Sequence, residues 1–144
     1  MRDSQLEVLK GCLECQKNGE QLTLVSVAQT WGTSPRPVGA LLAVSNSGRF
    51  FGSVSGGCVE EDLIERLVTN PIKKPQLLLY GETQEERHRF GLPCGGVLQL
   101  ITEPFNNMEE AEFLIDALER RRTLFRQLDL NSGDIHYADY TESH

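Results

Sequence analysis

The sequence has no apolar run near the roughly 20 residues that cross a bilayer as a helix. Its opening stretch, MRDSQLEVLKGCLECQ, breaks its apolar positions with Asp3, Glu7 and Glu14, which is not the pattern of a secretory leader. Basic residues are in deficit, 14 against 21 acidic, for a formal net charge of −7. That deficit speaks against a general nucleic-acid binder, which needs a basic footprint to displace counterions. It speaks equally against a polybasic membrane anchor. Cysteine is sparse, at 12, 15, 58 and 94, too few for a secreted disulfide scaffold of this length. The expected location is therefore the cytoplasm, with the thiols free, ligating or reactive. There is no Walker loop, no G-x-G-x-x-G, no H-E-x-x-H and no Ser-His-Asp order. What remains is 144 residues, 39% hydrophobic and 24% charged. That is one ordinary globular domain, long enough to bury a real core.

Hydrophobic periodicity predicts alternating elements. Leu6, Leu9 and Leu13, with Val8 and Cys12, predict a helix over 4–18, with Ser4 and Glu7 as a capping box. Residues 22–28 alternate and are rich in β-branched side chains, so they read as a strand. A rigid loop follows from Trp31 to Pro37. Residues 40–44 and 50–54 read as a hairpin around Asn46-Ser47-Gly48. Val59, Leu63, Ile64, Leu67 and Val68 predict a helix over 58–69. Strands are expected at 76–80 and 97–102, with one helical turn near 83–89. An amphipathic helix over 107–122 ends in Arg120-Arg121-Arg122, which suits its negative C-terminal end. Strands at 124–130 and 135–140 close the chain. The fold class expected is α/β, a single domain with a mixed sheet flanked by helices. The motif-bearing core covers about 20–105, and 106–144 form a helix and hairpin.

Ten of the thirteen glycines lie between Gly32 and Gly96. Glycine is useful where backbone turns sharply or approaches a ligand, so the middle of the chain reads as the working part. Ser55, Gly56, Gly57 and Cys58 stand between a strand and a helix start. Unpaired N–H groups and the positive helix end make that an anion site in waiting. A thiolate at Cys58 in the first helical turn would be stabilised, although Glu60, Glu61 and Asp62 oppose both effects. The plain alternative is a glycine turn with a buried thiol. Cys94, followed by Gly95 and Gly96, is presented on a Pro-Cys-Gly-Gly turn, as a reactive or ligating cysteine often is. An inert buried thiol is the equal alternative. Arg36, held between Pro35 and Pro37, suits phosphate or carboxylate, against the commoner solvated arginine. Cys12 and Cys15 lack the second pair that a zinc site needs; Cys12 reads as core and Cys15 as incidental. His88 is near enough in sequence to activate Cys94, but a solvated face is the commoner case.

Taken in order, TWGTSPRPVGALLAVSNSGRFFGSVSGGCVEEDLI and LLLYGETQEERHRFGLPCGGVLQL resemble the N-terminal domain of the xanthine dehydrogenase accessory family, XdhC/CoxI, over about residues 6–105. The resemblance implies a maturation factor for molybdenum hydroxylases such as xanthine, aldehyde or carbon monoxide dehydrogenase. It implies binding of the molybdenum cofactor (molybdopterin), its protection, sulfuration with a cysteine desulfurase, and insertion into an apoenzyme. Arg36 with Ser55, Gly56 and Gly57 would hold the phosphate end; Cys58 and Cys94, beside Gly95 and Gly96, would face the metal as soft ligands or sulfur relays. Longer relatives of this kind continue into a Rossmann-type domain, for which this sequence carries no fingerprint. Two other functions stand beside this one. One is a thiol-dependent sulfurtransferase with a persulfide on Cys94 or Cys58. The other is a docking module for a dehydrogenase subunit. An accessory role is expected rather than an enzyme's, and a homodimer is the symmetric prior.

Overall fold

The computed structural model describes residues 2–31, 39–92 and 96–139. The elements are α1 (Arg2–Lys17), β1 (Leu22–Trp31), β2 (Leu41–Ser45), β3 (Phe50–Gly52), α2 (Glu60–Thr69), β4 (Gln76–Tyr80), α3 (Gln84–Arg89), β5 (Val97–Pro104), α4 (Met108–Glu119), β6 (Leu124–Leu128) and β7 (Ile135–Asp139). Five strands form one sheet in the order β3-β2-β1-β5-β4, and β6 pairs with β7 as a separate hairpin.

Strand alternation sorts the core into two layers. Leu22 and Leu24 of β1 and Ala43 of β2 join Val8, Leu9, Cys12 and Cys15 of α1 and Ala111 of α4. Their chain neighbours Val25, Val27, Leu42 and Val44 point the other way, to Leu63 and Leu67 of α2 and to Tyr80, Leu98 and Leu100. Register keeps the layers separate, because Leu24 sits opposite Ala43 and Val25 opposite Leu42. Gly11 lets α1 lie close on β3: a Cβ there would meet the Phe51 ring at 2.5 Å.

The α/β layering is as expected, but the strand directions are not mixed. All the pairings in the sheet are antiparallel. The physical reason lies in the one crossover. α2 joins β3 to β4, which run the same way but occupy opposite edges with three strands between them. A parallel pair would need such a crossover to join neighbours.

Boundaries also differ: β1 runs on to Trp31, β3 stops at Gly52, β5 runs on to Pro104, β6 stops at Leu128, and the helices shift as well. α1 begins at Arg2, so Ser4 lies inside its first turn rather than capping it. α2 begins at Glu60, so Cys58 precedes the helix. α4 stops at Glu119; beyond it Arg121 takes φ 57° and the arginine run turns away toward the hairpin. That hairpin is tied back by Arg126, which forks onto the buried Glu103 at 2.5 and 3.0 Å. Arg126 also reaches Glu110, which accepts a hydrogen bond from Tyr137.

Candidate functional site

The loop from Ser53 to Val59 leads from β3 into α2 and wraps one carboxylate. Glu60 Oε2 accepts from Ser53 Oγ at 2.6 Å and from the N–H groups of Val54 and Ser55 at 2.9 Å each. Glu60 Oε1 accepts from Ser55 Oγ and from the N–H groups of Gly57 at 3.1 Å and Val59 at 3.3 Å. Ser53 Oγ in turn accepts from the Gly56 N–H, and Ser55 Oγ from the Val59 N–H. The anion-accepting backbone expected at Ser55, Gly56 and Gly57 is thus real, but its N–H groups are directed at the protein's own carboxylate. Gly56 and Gly57 take φ +73° and +107°, conformations that glycine adopts without strain. Nothing lies within 4 Å of a Cβ built on Gly57, so its glycine serves the turn rather than a close approach.

Burial of Glu60 favours its neutral form, yet the bonds from Ser53 and Ser55 and the loop N–H groups outweigh it. The carboxyl falls from an ordinary 4.5 to about 2. It is ionised throughout the physiological range. Sequence reading placed Glu60 among three carboxylates that merely repel an anion. Its pattern, Ser-x-Ser followed five residues later by Glu across a Gly-Gly turn, is the signal that identifies it.

Cys58 is half-buried and packs at the margin of the α2-side core, as Phe90 and Leu92 do. Its Sγ lies 4.0 Å from the Gly91 carbonyl oxygen. The first glycine loop therefore touches the start of the second, three residues before Cys94. Arg36, Cys94 and Gly95 lie outside the described residues, as does the proposed pairing of His88 with Cys94. Gly96 is described and buried; its carbonyl oxygen would collide with a Cβ on Gly81, so Gly81 is required there. His88 is exposed on α3.

The seam between α2 and α3 is polar. Asp62 accepts from the Tyr80 hydroxyl at 2.7 Å and pairs with Arg66 at 3.1 Å and Arg89 at 3.7 Å. On the opposite flank of α2 lies an open groove of about 610 Å³, lined by Phe50, Gly52, Ser53, Gly56, Gly57, Glu60, Glu61 and Ile64. Cys12 and Cys15 are fully buried beneath α1. Cys15 is as much a core residue as Cys12, which corrects its incidental reading. No group of three or more His, Cys, Asp or Glu residues among the described residues is placed to hold a metal.

Comparison with known proteins finds one family model and several relatives that resemble parts of this chain. The XdhC and CoxI family model matches residues 15–81. An Escherichia coli K12 protein named molybdenum cofactor insertion chaperone PaoD is 26% identical over 136 residues, covering 90% of this chain and 41% of that protein. A Bacillus subtilis 168 protein, named as a probable subunit of xanthine dehydrogenase, is 26% identical over 129 residues, covering 86% of this chain and 38% of its own length. The chain thus spans about two fifths of each of these relatives. A crystal structure from Bacillus halodurans, described as a xanthine dehydrogenase, superposes with a TM-score of 0.59 at 18% identity. The match covers 92% of this chain and 46% of that one, and it shows a shared fold.

Proposed function

We propose, from the match of the XdhC and CoxI family model to residues 15–81, that the chain is a maturation factor that binds the molybdenum cofactor as cargo for a molybdenum hydroxylase. The hydroxylase partner is of the xanthine, aldehyde or carbon monoxide dehydrogenase kind. The names of the two relatives support the cargo and the partner class. The observation that carries the reading to particular residues is the contact of Cys58 with Gly91. It sets a partly exposed thiol against the loop that continues into Cys94.

That arrangement fits a carrier. A thiolate is a soft ligand suited to a sulfur-bound metal, and a shallow seam permits release where an enclosed cage would not. The residues of this chain supply holding, not turnover. Cys58 faces the metal end of the cargo, and Glu60 fixes the loop that presents Cys58. Sulfuration with a cysteine desulfurase, protection of the cofactor and assembly as a homodimer belong to the same proposal. So does a cytoplasmic location, with which the absence of any membrane-crossing helix among the described residues is compatible.

The test is anaerobic binding of purified molybdenum cofactor to the whole chain and to a Cys58→Ser/Cys94→Ser variant. Stoichiometric binding by the intact chain, lost in the variant, supports the proposal. Equal binding by both removes the cysteines from it. No binding by the intact chain overturns the carrier role and favours docking on a dehydrogenase subunit.

A further inference from the structure

The Ser53–Val59 loop is filled by Glu60, so an anionic cargo needs its charge met elsewhere. The groove on the far flank of α2 does not meet it, because Glu60 and Glu61 line it. The seam on the near flank does. We infer that Arg66 and Arg89, gathered on Asp62 beside the Cys58–Gly91 contact, form the seat for a phosphate monoester on the cargo. This inference rests on the cofactor-carrier reading above and names the residues that hold the cargo's anionic end.

Four observations converge there. Two guanidinium groups share one carboxylate, Asp62, which is already engaged by the Tyr80 hydroxyl, so the cations outnumber Asp62 by one in a chain of net charge −7, with the charge of Glu86 also reaching Tyr80. Both guanidiniums are held in place by more than the ion pair. Arg66 lies over the Tyr80 ring at 5.5 Å and Arg89 over the Phe90 ring at 4.8 Å. Those rings meet edge to face at 5.2 Å, so one aromatic pair supports both cations. Despite this, the two side chains are 58% and 69% exposed, leaving donors open to a ligand. Finally, the same two chain segments make the neighbouring contact. Asp62 follows Cys58 by four residues, and Arg89 precedes Gly91 by two. A planar guanidinium fork matches phosphate oxygens in a way that a solvated lysine does not.

The experiment uses the full chain, labelled with nitrogen-15 and titrated with inorganic phosphate at low, fixed ionic strength. Amide and arginine Nε–H resonances are followed in the wild type, Arg66→Gln, Arg89→Gln and the double variant. Saturable shifts centred on Asp62, Arg66 and Arg89 are expected, with each single substitution weakening phosphate about tenfold. A Lys73→Gln/Lys74→Gln variant removes the same charge from an exposed site outside the seam, and it should leave phosphate binding unchanged. Shifts centred on 54–59, shifts that do not saturate, or binding retained by the double arginine variant would each overturn the seat. So would an equal loss in the double lysine variant, which would mean general charge attraction. Cofactor binding is then measured on the same proteins. A wild type that binds phosphate at the seat but no cofactor removes the carrier function and leaves an anion seat. Cofactor bound equally with and without the arginines removes the seat and leaves the carrier.

Discussion

The two faces of the sheet hold cysteines in opposite circumstances. Under α1, Cys12 and Cys15 are fully buried among Val8, Leu9, Leu22 and Phe105. Burial first, and the neighbouring Cys15 second, push the Cys12 thiol up to about 12, so it stays protonated and unreactive. Across the sheet, Cys58 sits at the lip of the core on a loop wound about an ionised carboxylate. The lesson is that a sheet of this size can use one face for stability and the other for display, with the same residue type serving both. The difference is made by the backbone before the thiol: a regular helix in one case, two left-handed glycines in the other.

The sharpest way to break this contrast is to remove the carboxylate under the display loop. Glu60→Gln replaces an acceptor by an amide that also donates, facing a ring of donors. A loss of about 3 kcal/mol is expected in urea unfolding at pH 7. The pH dependence gives the sign. Glu60 has its folded value lowered from 4.5 to about 2, so its contribution is complete above pH 4.5 and fades as pH falls toward 2. The gap between wild type and Glu60→Gln should therefore close in acid; a constant gap would contradict the assignment.

Next in size is the contrast between thiols. Cys12→Ser puts a hydroxyl into an apolar layer and should cost about 2 kcal/mol. Cys58→Ser should change stability by less than about 0.5 kcal/mol, as at surface sites. Labelling of the native protein with a thiol reagent, read by peptide mapping, should find Cys58 modified and both α1 cysteines protected. Reaction at Cys12 without unfolding would erase the distinction. A smaller loss than that of Cys12→Ser is expected for Tyr80→Phe. It removes the hydroxyl donated to Asp62 but leaves both arginines on that carboxylate, and about 1 kcal/mol is the scale for one such bond. Calorimetric melting would resolve it.

Much of this was legible beforehand. The alternation of Leu22 to Ala28 and the stripe of Leu63, Ile64 and Leu67 each pointed to the observed element, because burial on one face imposes its period on the sequence. Strand direction was not legible: Val25 alternates in the same way whether its neighbour runs up or down. The acidic triplet shows the limit most clearly. Glu60, Glu61 and Asp62 are adjacent and look like one first-turn cluster. In the fold they part: Glu60 turns back to bond the loop, Glu61 joins it only along the groove, and Asp62 turns to the arginine seam. Successive helical positions stand about 100° apart, so a run of like residues cannot share one role. For Arg36 and Cys94 the expectation rests on the resemblance of motifs alone, since both lie outside the described residues.

The sheet order has a bearing on biosynthesis. β5 lies between β1 and β4, so β4 has no partner in the sheet until residues 97–104 have been made. α2 bridges the two edges and packs on Tyr80, Leu98 and Leu100 as well as on β2. A growing chain therefore cannot form the Cys58–Gly91 seam while β5 is still inside the ribosome. The half-buried thiol of the finished protein is thus in place only once the strand that shelters it has been made.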